Sequence, residues 1–424
     1  GSLGVTSEKN RSDVYVPAEN TAFDEYATSD YGRKGTYTYG TGENSQYELN
    51  ITANYSKTFA DLHSLYVGLG YTLAQTKSED YSFQAEGITN SNMAFLGAAT
   101  AYAQGTTPYG YESTVRRVGV TGNFNYTYAD RYFVDGTFKT EGSSQFGKDN
   151  RFAPFFSIGA GWNIHNEHFL KGNNFINVAR LRLSYGTSGS QSFSPYQALT
   201  SYKTIDGYNF NGLYGVKLMG IGNSELKWQK TKQWNVGFDL ELIKNRFALN
   251  FDYYNKLTDD LLSDVNLPTS AGFSSFKGNV GQVENRGFEL GANAYLIRDT
   301  KRQVIWSVGG TMIHNVNKIK KISNYLEYLN SLMENEEDVN PSFMYKEGES
   351  INTIFAVRSQ GIDPSNGKEI YVKKDGTLTY VWDSKDKVAC GISEPKYQGT
   401  FNTRLRYQGW QLSAIFSYRF GGQI

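Results

Sequence analysis

The chain has 424 residues, with 42 Lys plus Arg against 42 Asp plus Glu, so no basic surplus favours a nucleic-acid partner. Its single cysteine, Cys390, excludes an internal disulfide framework and a cysteine-rich metal site. No segment approaches the roughly 18 consecutive apolar residues that a membrane-spanning helix needs. Aromatic residues make up 15%, with 32 Tyr, and 44 Gly stand against 8 Pro, a bias that favours β structure.

Apolar and polar residues alternate in one segment after another along the chain. In the first such segment Tyr47, Leu49 and Ile51 alternate with Glu48 and Asn50, which is the period of a strand with one apolar face. Applied to the whole sequence, this pattern predicts about twelve strands of roughly ten residues. They lie at 47–55, 65–73, 117–128, 131–142, 156–163, 180–185, 233–242, 247–253, 288–296, 304–312, 401–407 and 410–420.

The connections between these segments alternate strictly between short and long. Short turns lie near 61, 129–130, 244–245, 300 and 408–409, with a longer one at 165–175. Long connections lie at 76–115, 143–153, 187–231, 258–282 and 317–395. A soluble β-protein with one solvated face, the alternative, has no reason to place its long loops at one end. Outer-membrane barrels have short periplasmic turns, long extracellular loops and no open strand edge in hydrocarbon. The sequence therefore predicts an all-β, transmembrane antiparallel β-barrel.

The alternation also assigns each side chain to one face of the barrel. The residues predicted to face lipid are Phe124, Tyr126, Trp162, Phe238, Leu240, Leu290 and Phe416. A charge on the lipid face at the bilayer midplane costs about 2–4 kcal/mol, so charged residues are assigned to the lumen. Because a register shift of one residue would exchange the faces, the assignment is specific. The residues predicted to face the lumen are Asn123, Asp239, Glu241, Glu289, Arg404 and Arg419.

Several blocks, in order along the chain, resemble the barrel of SusC/RagA-type TonB-dependent outer-membrane transporters. The resemblance is strong over about residues 115–424 and looser before them. The blocks are "YADRYFVDGTFKTEGSSQFGKDNRFAPFFSIGAGW" (128–162), "LRLSYGTSGSQSFSPYQALTSY" (181–202), "NSELKWQKTKQWNVGFDLEL" (223–242), "DYYNKLTDDLL" (252–262), "LPTSAGFSSFKGNVGQVENRGFEL" (267–290), "GIDPSNGKEIYVKKDG" (361–376) and "PKYQGTFNTRLRYQGWQLSAIFSYRFGGQI" (395–424).

The resemblance implies an architecture larger than this chain. Such transporters have a plug domain and an N-terminal segment that couples to TonB, ahead of a plugged barrel of about 22 strands. Residues 1–424 are thus expected to be a middle portion of the barrel, without plug or barrel end, with 317–395 as a long extracellular loop region. The strands at 47–55 and ending at Phe420 are expected to pair with polypeptide outside this sequence. The implied location is the outer membrane of a Bacteroidetes-like Gram-negative bacterium, in contact with its lipid.

Enzymatic and metal chemistry have little support in the sequence. "HNEH" (165–168) lies in a predicted turn and lacks the spacing of a zincin site, and no histidine is placed for a catalytic triad. "ENEEDV" (334–339) and "DPSNGKE" (363–369) offer oxygen ligands for calcium, but they also fit a solvated acidic loop and an Asn-Gly turn. We predict no enzyme activity, no catalytic residue, no metal site and no cofactor.

Aromatic residues in the polar, predicted extracellular loops are the candidates for substrate contact. Rings beside Asn and Asp suit sugar faces or peptides, because Tyr and Trp give large contact area with few rotatable bonds. The same rings also suit loop packing, or contact with the SusD-like surface lipoprotein that caps the barrel in the resembled family. The candidates are Tyr109, Tyr111, Tyr208, Phe210, Tyr214 and Trp382.

The function that the resemblance implies is TonB-energised import of a nutrient, a glycan or a peptide. Two alternatives stay open at this point. One is a passive porin, and the other is a surface adhesin or assembly barrel that transports nothing. No nucleic acid is expected as a partner.

Overall fold

The computed structural model describes residues 1–191, 193–266, 272–273, 275–279, 281–323, 326–328, 330–331 and 342–423. The described strands are β1 (Ser2–Val16), β2 (Thr36–Phe59), β3 (His63–Glu86), β4 (Ala101–Tyr102), β5 (Tyr109–Tyr128), β6 (Tyr132–Ser143), β7 (Phe152–Asn163), β8 (Ile176–Ser190), β9 (Ser201–Phe210), β10 (Leu213–Gly220), β11 (Gln229–Leu242), β12 (Phe247–Asp259), β13 (Leu262–Asn266), β14 (Ser275–Asn279), β15 (Gly281–Asp299), β16 (Val304–Ile322), β17 (Ser342–Phe343), β18 (Thr353–Ala356), β19 (Arg358–Ile362), β20 (Glu369–Val372), β21 (Leu378–Thr379), β22 (Val388–Ile392), β23 (Tyr397–Tyr407) and β24 (Trp410–Phe420). Single 3₁₀ turns lie at Thr21–Phe23, Thr28–Arg33, Leu96–Ala98, Lys148–Asn150, Ile164–Asn166, His168–Leu170 and Ser384–Asp386. No helix in these described ranges is long and apolar enough to cross a membrane.

One large antiparallel sheet of 14 strands dominates the described structure. Its order is β1-β2-β3-β5-β6-β7-β8-β11-β12-β15-β16-β23-β24, with β4 paired to β3. Each long strand therefore lies beside its predecessor, as in an up-and-down barrel wall. The all-β antiparallel prediction is confirmed, and each of the twelve predicted segments matches a strand of this sheet, with Arg131 of the segment 131–142 in the turn before β6.

The short connections turn sharply because their central residues adopt left-handed backbone conformations. Ala129 and Asp130 have φ of 50° and 54°, and the amide of Arg131 donates to the carbonyl of Tyr128 at 2.9 Å. Two central residues with positive φ define a type I′ turn, whose twist matches that of the flanking strands. Ala60 and Asp61 form the same kind of turn between β2 and β3.

The sequence pattern missed β1, and the predicted edge at residues 47–55 is wrong. β1 pairs with β2 along its whole length, from Ser2 opposite Asn50 to Val16 opposite Thr36. Only Leu3 and Val5 at its start continue the apolar face, and polar residues such as Lys9 and Arg11 follow them. The strand is thus held by its backbone pairing with β2. It lacks the alternation of apolar and polar residues on which the prediction depended.

Other polar extensions were missed for the same reason. The 24-residue strands β2 and β3 continue well past their apolar segments. Two predicted long loops contain the hairpins β9–β10 and β13–β14. The segment 317–395 contains the small sheets β17-β18-β22 and β19-β20-β21.

Cross-strand pairing places the predicted side chains on two distinct faces. Phe238 on β11 lies opposite Leu181 and Phe251, whereas its neighbour Asp239 lies opposite Arg180 and Asn250. We call these the apolar face and the polar face. The predicted register is confirmed here, because a one-residue shift would have placed Asp239 among the aromatic rings.

Aromatic rings form a row across the apolar face near the long-loop ends of the strands. Tyr253, Phe288, His314, Tyr397 and Phe420 occupy successive paired positions on β12, β15, β16, β23 and β24. Ring centroids are 5.5 Å apart for Phe288 and His314, 4.6 Å for His314 and Tyr397, and 5.2 Å for Tyr397 and Phe420. Amphipathic rings in such a row are typical of a membrane–water interface. We call this set the aromatic row.

The residues cluster into two compact units. Unit 1 comprises Gly1–Ala53, Leu69–Val120 and Glu141–Gln145, and unit 2 comprises Asn54–Gly68, Thr121–Thr140 and Phe146–Ile424. Each unit has its own buried contacts near the long connections, and these contacts fix the loops that carry the predicted site residues.

Candidate functional site

A polar groove lies in unit 1, where the extended ends of β1, β2, β3 and β5 run side by side. Its volume is about 300 Å³. Most of the groove is formed by side chains that carry neutral hydrogen-bonding groups. The lining residues are Asn10, Arg11, Ser12, Gly40, Thr41, Asp80, Tyr81, Ser82 and Tyr109.

Two glycines on β2 let polar side chains from the neighbouring strands converge in this groove. A Cβ at Gly42 would lie 2.4 Å from Asn10 Oδ1 and 2.6 Å from Asp80 Oδ1. A Cβ at Gly40 would lie 2.6 Å from Ser12 Oγ. Since real Cβ atoms do not approach oxygen so closely, the amide and carboxylate oxygens occupy space that only glycine leaves free.

The positive charge of Arg11 is directed to another partner. Its Nε donates to Asp13 Oδ2 at 2.6 Å and its Nη2 to Asp13 Oδ1 at 2.9 Å. The same guanidinium lies 5.3 Å from the ring centroid of Tyr39. Among the residues that line the groove, Asp80 is the one carboxylate. The other polar lining groups, apart from Arg11, are amide, hydroxyl and phenol groups.

A partly buried ion pair fixes the loops at one end of unit 1. Arg33 Nε donates to Glu86 Oε1 at 2.8 Å, and the amide of Gln104 donates to Glu86 Oε2 at 3.1 Å. Glu86 is 6% exposed. The connection 17–35 and the connection 87–108 are thereby tied to the end of β3, and the second of these leads directly into Tyr109.

The six predicted substrate contacts occupy different places. Tyr109 lines the groove and is 56% exposed; Tyr111 lies two residues along β5 on the same face, is exposed, and is not among the lining residues. Both belong to unit 1. The remaining four, Tyr208, Phe210, Tyr214 and Trp382, belong to unit 2.

Within unit 2, the β9–β10 hairpin carries three of these residues. The backbones of Tyr208 and Phe210 lie on β9 and that of Tyr214 on β10, where Tyr214 pairs with Asn209. Their side chains lie outside the described part of the structure. Trp382 is half-buried in the segment between β21 and β22, with Lys387 Nζ 5.9 Å from its ring centroid.

An aromatic cluster that sequence reasoning missed lies where the connection that carries this hairpin leaves β8 and enters β11. The Trp228 ring stacks on Phe146 at 4.5 Å and meets Phe155 edge-on at 5.6 Å. The Trp228 Nε1 donates to the carbonyl of Arg151 at 3.3 Å. We call Phe146, Phe155 and Trp228 the hairpin-base cluster. Phe146 and Trp228 lie in the predicted long connections 143–153 and 187–231, so only their apolar character could have indicated burial.

A polar network crosses the middle strands of unit 2. Arg182 on β8 donates to both carboxylate oxygens of Asp239 on β11, at 2.9 and 3.0 Å, and to Asp252 on β12 at 3.2 Å. Asn250 donates to Asp239 at 2.9 Å. Arg182, Asp239 and Asp252 on the polar face are thus held together by hydrogen bonds.

The histidine-rich turn is structural. The amide of Ala179 donates to His165 Nδ1 at 3.3 Å. Glu167 accepts hydrogen bonds from Tyr132 Oη at 2.5 Å and Trp162 Nε1 at 3.0 Å. The hydroxyl of Tyr132, then the indole of Trp162, lower the pKa of the Glu167 carboxyl below its usual value.

The two candidate calcium segments have different outcomes. Asp363 of "DPSNGKE" accepts bonds from Tyr380 Oη at 2.6 Å and from Ser365 Oγ at 2.7 Å, and these bonds lower its pKa to about 2. Its carboxylate therefore closes the β19–β20 hairpin. The acidic residues of "ENEEDV" lie outside the described residues. Across the described ranges, no group of three or more His, Cys, Asp and Glu side chains is placed to hold a metal ion.

Comparison with known proteins places this geometry in a family. The family model described as "TonB dependent receptor-like, beta-barrel" matches residues 2–423. TonB-dependent receptor P3 of Formosa agariphila is 29% identical over 435 residues, which cover 96% of this chain and 42% of that protein. TonB-dependent receptor SusC of Bacteroides thetaiotaomicron is 30% identical over 309 residues, which cover 69% of this chain and 29% of that protein.

A solved structure shares the fold at low sequence identity. A chain of the structure described as the RagAB peptide transporter superposes with a TM-score of 0.86 and 22% identity, over 99% of this chain and 45% of that chain. This chain thus spans less than half the length of the proteins that it matches here.

Proposed function

This chain belongs to the family of TonB-dependent receptor β-barrels, and we propose that it forms barrel wall and binding surface in a nutrient importer energised through TonB. Members of this family lie in the outer membrane, so the apolar face meets lipid. The observation that carries the proposal is the match of the family model to residues 2–423. Neither the passive porin nor the adhesin alternative is favoured, because the curated relatives are named TonB-dependent receptors.

We infer that the groove in unit 1 contributes to substrate binding, with Tyr109 as its aromatic contact. Its lining combines an exposed ring with amide, hydroxyl and carboxylate oxygens. Few convergent polar groups beside an aromatic surface are typical of ligand sites. Because the Arg11 charge is engaged by Asp13, the groove suits the hydroxyl groups of a neutral oligosaccharide better than the carboxylate of a peptide.

We further propose that the long connections bind a SusD-like surface lipoprotein. The supporting observations are the similarity to SusC and the fold shared with the transporter chain of RagAB. The β9–β10 hairpin and the Trp382 segment are the parts of unit 2 that would meet such a partner. Energy would reach the barrel through TonB.

The test is substrate binding by the full receptor that contains this chain, with Tyr109→Ala, Tyr109→Phe and Tyr102→Ala variants. Labelled neutral oligosaccharides and labelled peptides are titrated in parallel. Loss of one stacked ring is expected to weaken oligosaccharide binding about three- to tenfold, since such contacts contribute roughly 0.5–1.5 kcal/mol. Tyr109→Phe should keep most of the affinity.

The control ring, Tyr102, packs against Phe83 at 5.5 Å and is not among the residues lining the groove. Its removal should leave oligosaccharide binding unchanged. Unchanged oligosaccharide binding by the Tyr109→Ala receptor would overturn the assignment of the groove as a substrate site. Tighter binding of peptides than of oligosaccharides would show that the substrate is a peptide. Uptake that persists in cells lacking TonB would overturn the importer proposal itself.

A further inference from the structure

Positive charges are concentrated on the apolar face of unit 2, directly beyond the aromatic row. The positions follow from the paired registers of β11, β12, β15 and β16. Tyr253 and Phe288 are paired in the aromatic row. Two residues farther toward the long loops on each strand, Asn255 lies opposite Arg286. After two more residues, the next row of paired positions runs across β11, β12, β15 and β16. It consists of Lys232, Leu257, Glu284 and Lys318. We call Lys230, Lys232, Arg286, Lys318 and Lys320 the cationic belt.

Among the residues that the structure describes on these strands, two carboxylates accompany the five cations on the same face. Lys232 Nζ lies 2.8 Å from Asp259, and Lys320 Nζ lies 2.9 Å from Glu284. Lys230, Arg286 and Lys318 have no ion-pair partner in the described part of the chain. Arg286 and Lys318 are exposed, and Lys230 is half-exposed. With five cations against two carboxylates, the belt therefore carries a net excess of positive charge.

The height of the belt matches the headgroup layer of the outer leaflet. Strands advance about 3.4 Å per residue, so Arg286, then Lys232 with Lys318, and then Lys230 lie roughly 7, 14 and 20 Å along the strand from the aromatic row. Strand tilt of about 35–45° shortens this distance along the membrane normal. Lysine and arginine side chains at such a height extend their charges into the headgroup region while their stems cover apolar surface.

From this position and charge we propose that the cationic belt binds phosphorylated lipid of the outer leaflet through its headgroup phosphates. The belt lies on the long-loop side of the aromatic row, which is the extracellular side of an outer-membrane barrel. An ammonium or guanidinium donates charge-assisted hydrogen bonds to phosphate oxygens. The bound lipid would neutralise Lys230, Arg286 and Lys318 and order the strand extensions that lead to the β13–β14 hairpin.

The experiment uses the full receptor, purified and delipidated in detergent, with diphosphoryl lipid A in mixed micelles as the probe. The variant is Lys230→Gln, Arg286→Gln and Lys318→Gln together. Dephosphorylated lipid A and inorganic phosphate are the comparison ligands. The matched control removes the same charge at the opposite end of the strands, by Lys244→Gln, Arg246→Gln and Lys301→Gln.

The triple variant should bind diphosphoryl lipid A at least tenfold more weakly, because each cation near an anionic surface contributes roughly fivefold. The control variant should bind within twofold of the wild type, and dephosphorylated lipid A should bind both receptors equally weakly. Equal binding of the diphosphoryl lipid by variant and wild type would overturn the proposal. So would equal binding of the dephosphorylated lipid, or displacement by millimolar inorganic phosphate, which would indicate a site for free phosphate.

A measurement on the wild-type receptor keeps the test valid should the triple variant fail to fold. Raising the salt concentration from 0.05 to 0.5 M should weaken diphosphoryl lipid A binding, because the contacts are electrostatic. Affinity that is independent of salt would exclude the belt as the binding surface. Lys230→Arg with Lys318→Arg, which retains both charges, should bind like the wild type.

Discussion

Arg182 holds Asp239 by two parallel hydrogen bonds across β8 and β11, at 2.9 and 3.0 Å. The same guanidinium reaches Asp252 on the next strand at 3.2 Å. One side chain thus links three successive strands on the polar face. Such two-point pairing fixes the geometry of the strands as well as neutralising the charges.

Replacing Asp239 by Asn is expected to destabilise the folded receptor by about 2 kcal/mol, the range for hydrogen bonds to charged groups. Arg182 keeps Asp252, so the loss should be partial. Urea unfolding of the full receptor in lipid vesicles measures the effect. In a double-mutant cycle with Arg182→Gln, the two substitutions should not be additive; additive losses would show that the pair contributes nothing of its own.

Gly237→Ala is expected to disrupt this network without changing any charge. A Cβ at Gly237 would lie 2.5 Å from Asp252 Oδ1 and 2.7 Å from the guanidinium carbon of Arg182. One of the two side chains must move, and the amount of folded receptor should fall. Heat-modifiable mobility on gels reports folding.

Gly291→Ala is the matched control for this substitution. Gly291 lies opposite Asn250 on the polar face, and a Cβ there would meet no heavy atom within 4 Å. The Gly291→Ala receptor should fold like the wild type. Equal behaviour of the two variants would contradict the steric explanation.

Burial of the hairpin-base cluster predicts that Trp228→Ala loosens the β9–β10 hairpin. Trp228 is 7% exposed between Phe146 and Phe155, and truncating such a side chain costs about 3–5 kcal/mol. Limited proteolysis should cut the receptor between residues 191 and 228 faster than in the wild type. Leu213→Ala, at a position 74% exposed in the same hairpin, should not change the cleavage rate.

The sequence predicted those features of the fold that leave a local pattern in the chain, and it missed those that depend on tertiary contacts. Phe238 and Asp239 were assigned correctly because lipid and lumen impose opposite demands on alternate positions of a strand. β1 was missed because Lys9 and Arg11 lie beyond the apolar segment, where both faces of a strand tolerate polar residues. The hairpin-base cluster was missed because Phe146 and Trp228 are far apart in sequence and meet only through tertiary packing.

The groove was only partly predictable for a related reason. Tyr109 was identified as an exposed ring in a polar segment, and it does line the groove. Asn10 and Asp80 were not identified, because their convergence depends on the register of β1 with β2 and on the space above Gly42. Neither the register of β1 with β2 nor the space above Gly42 can be read from composition or from the alternation of apolar and polar residues.

The last prediction concerns pH and Glu167 at the short-turn end of unit 2. Hydrogen bonds from Tyr132 and Trp162 stabilise the Glu167 carboxylate and lower its pKa in the folded receptor below the ordinary value of 4.5. The folded state therefore binds this proton less readily than the unfolded state, so the carboxylate stabilises the fold above pH 4.5. That contribution is lost as the pH falls below this value and through the lower pKa of the folded state.

Unfolding of wild-type and Glu167→Gln receptors in lipid vesicles, measured from pH 7 downward, tests this sign. The wild type should be the more stable of the two at pH 7, and the difference should shrink on acidification below the ordinary carboxyl pKa of 4.5. Glu225→Gln, at an exposed position of the same unit, should change the free energy of unfolding at pH 7 less than Glu167→Gln does. A stability difference between wild type and Glu167→Gln that grows as the pH falls would mean that the carboxyl is protonated in the fold and donates to its neighbours instead.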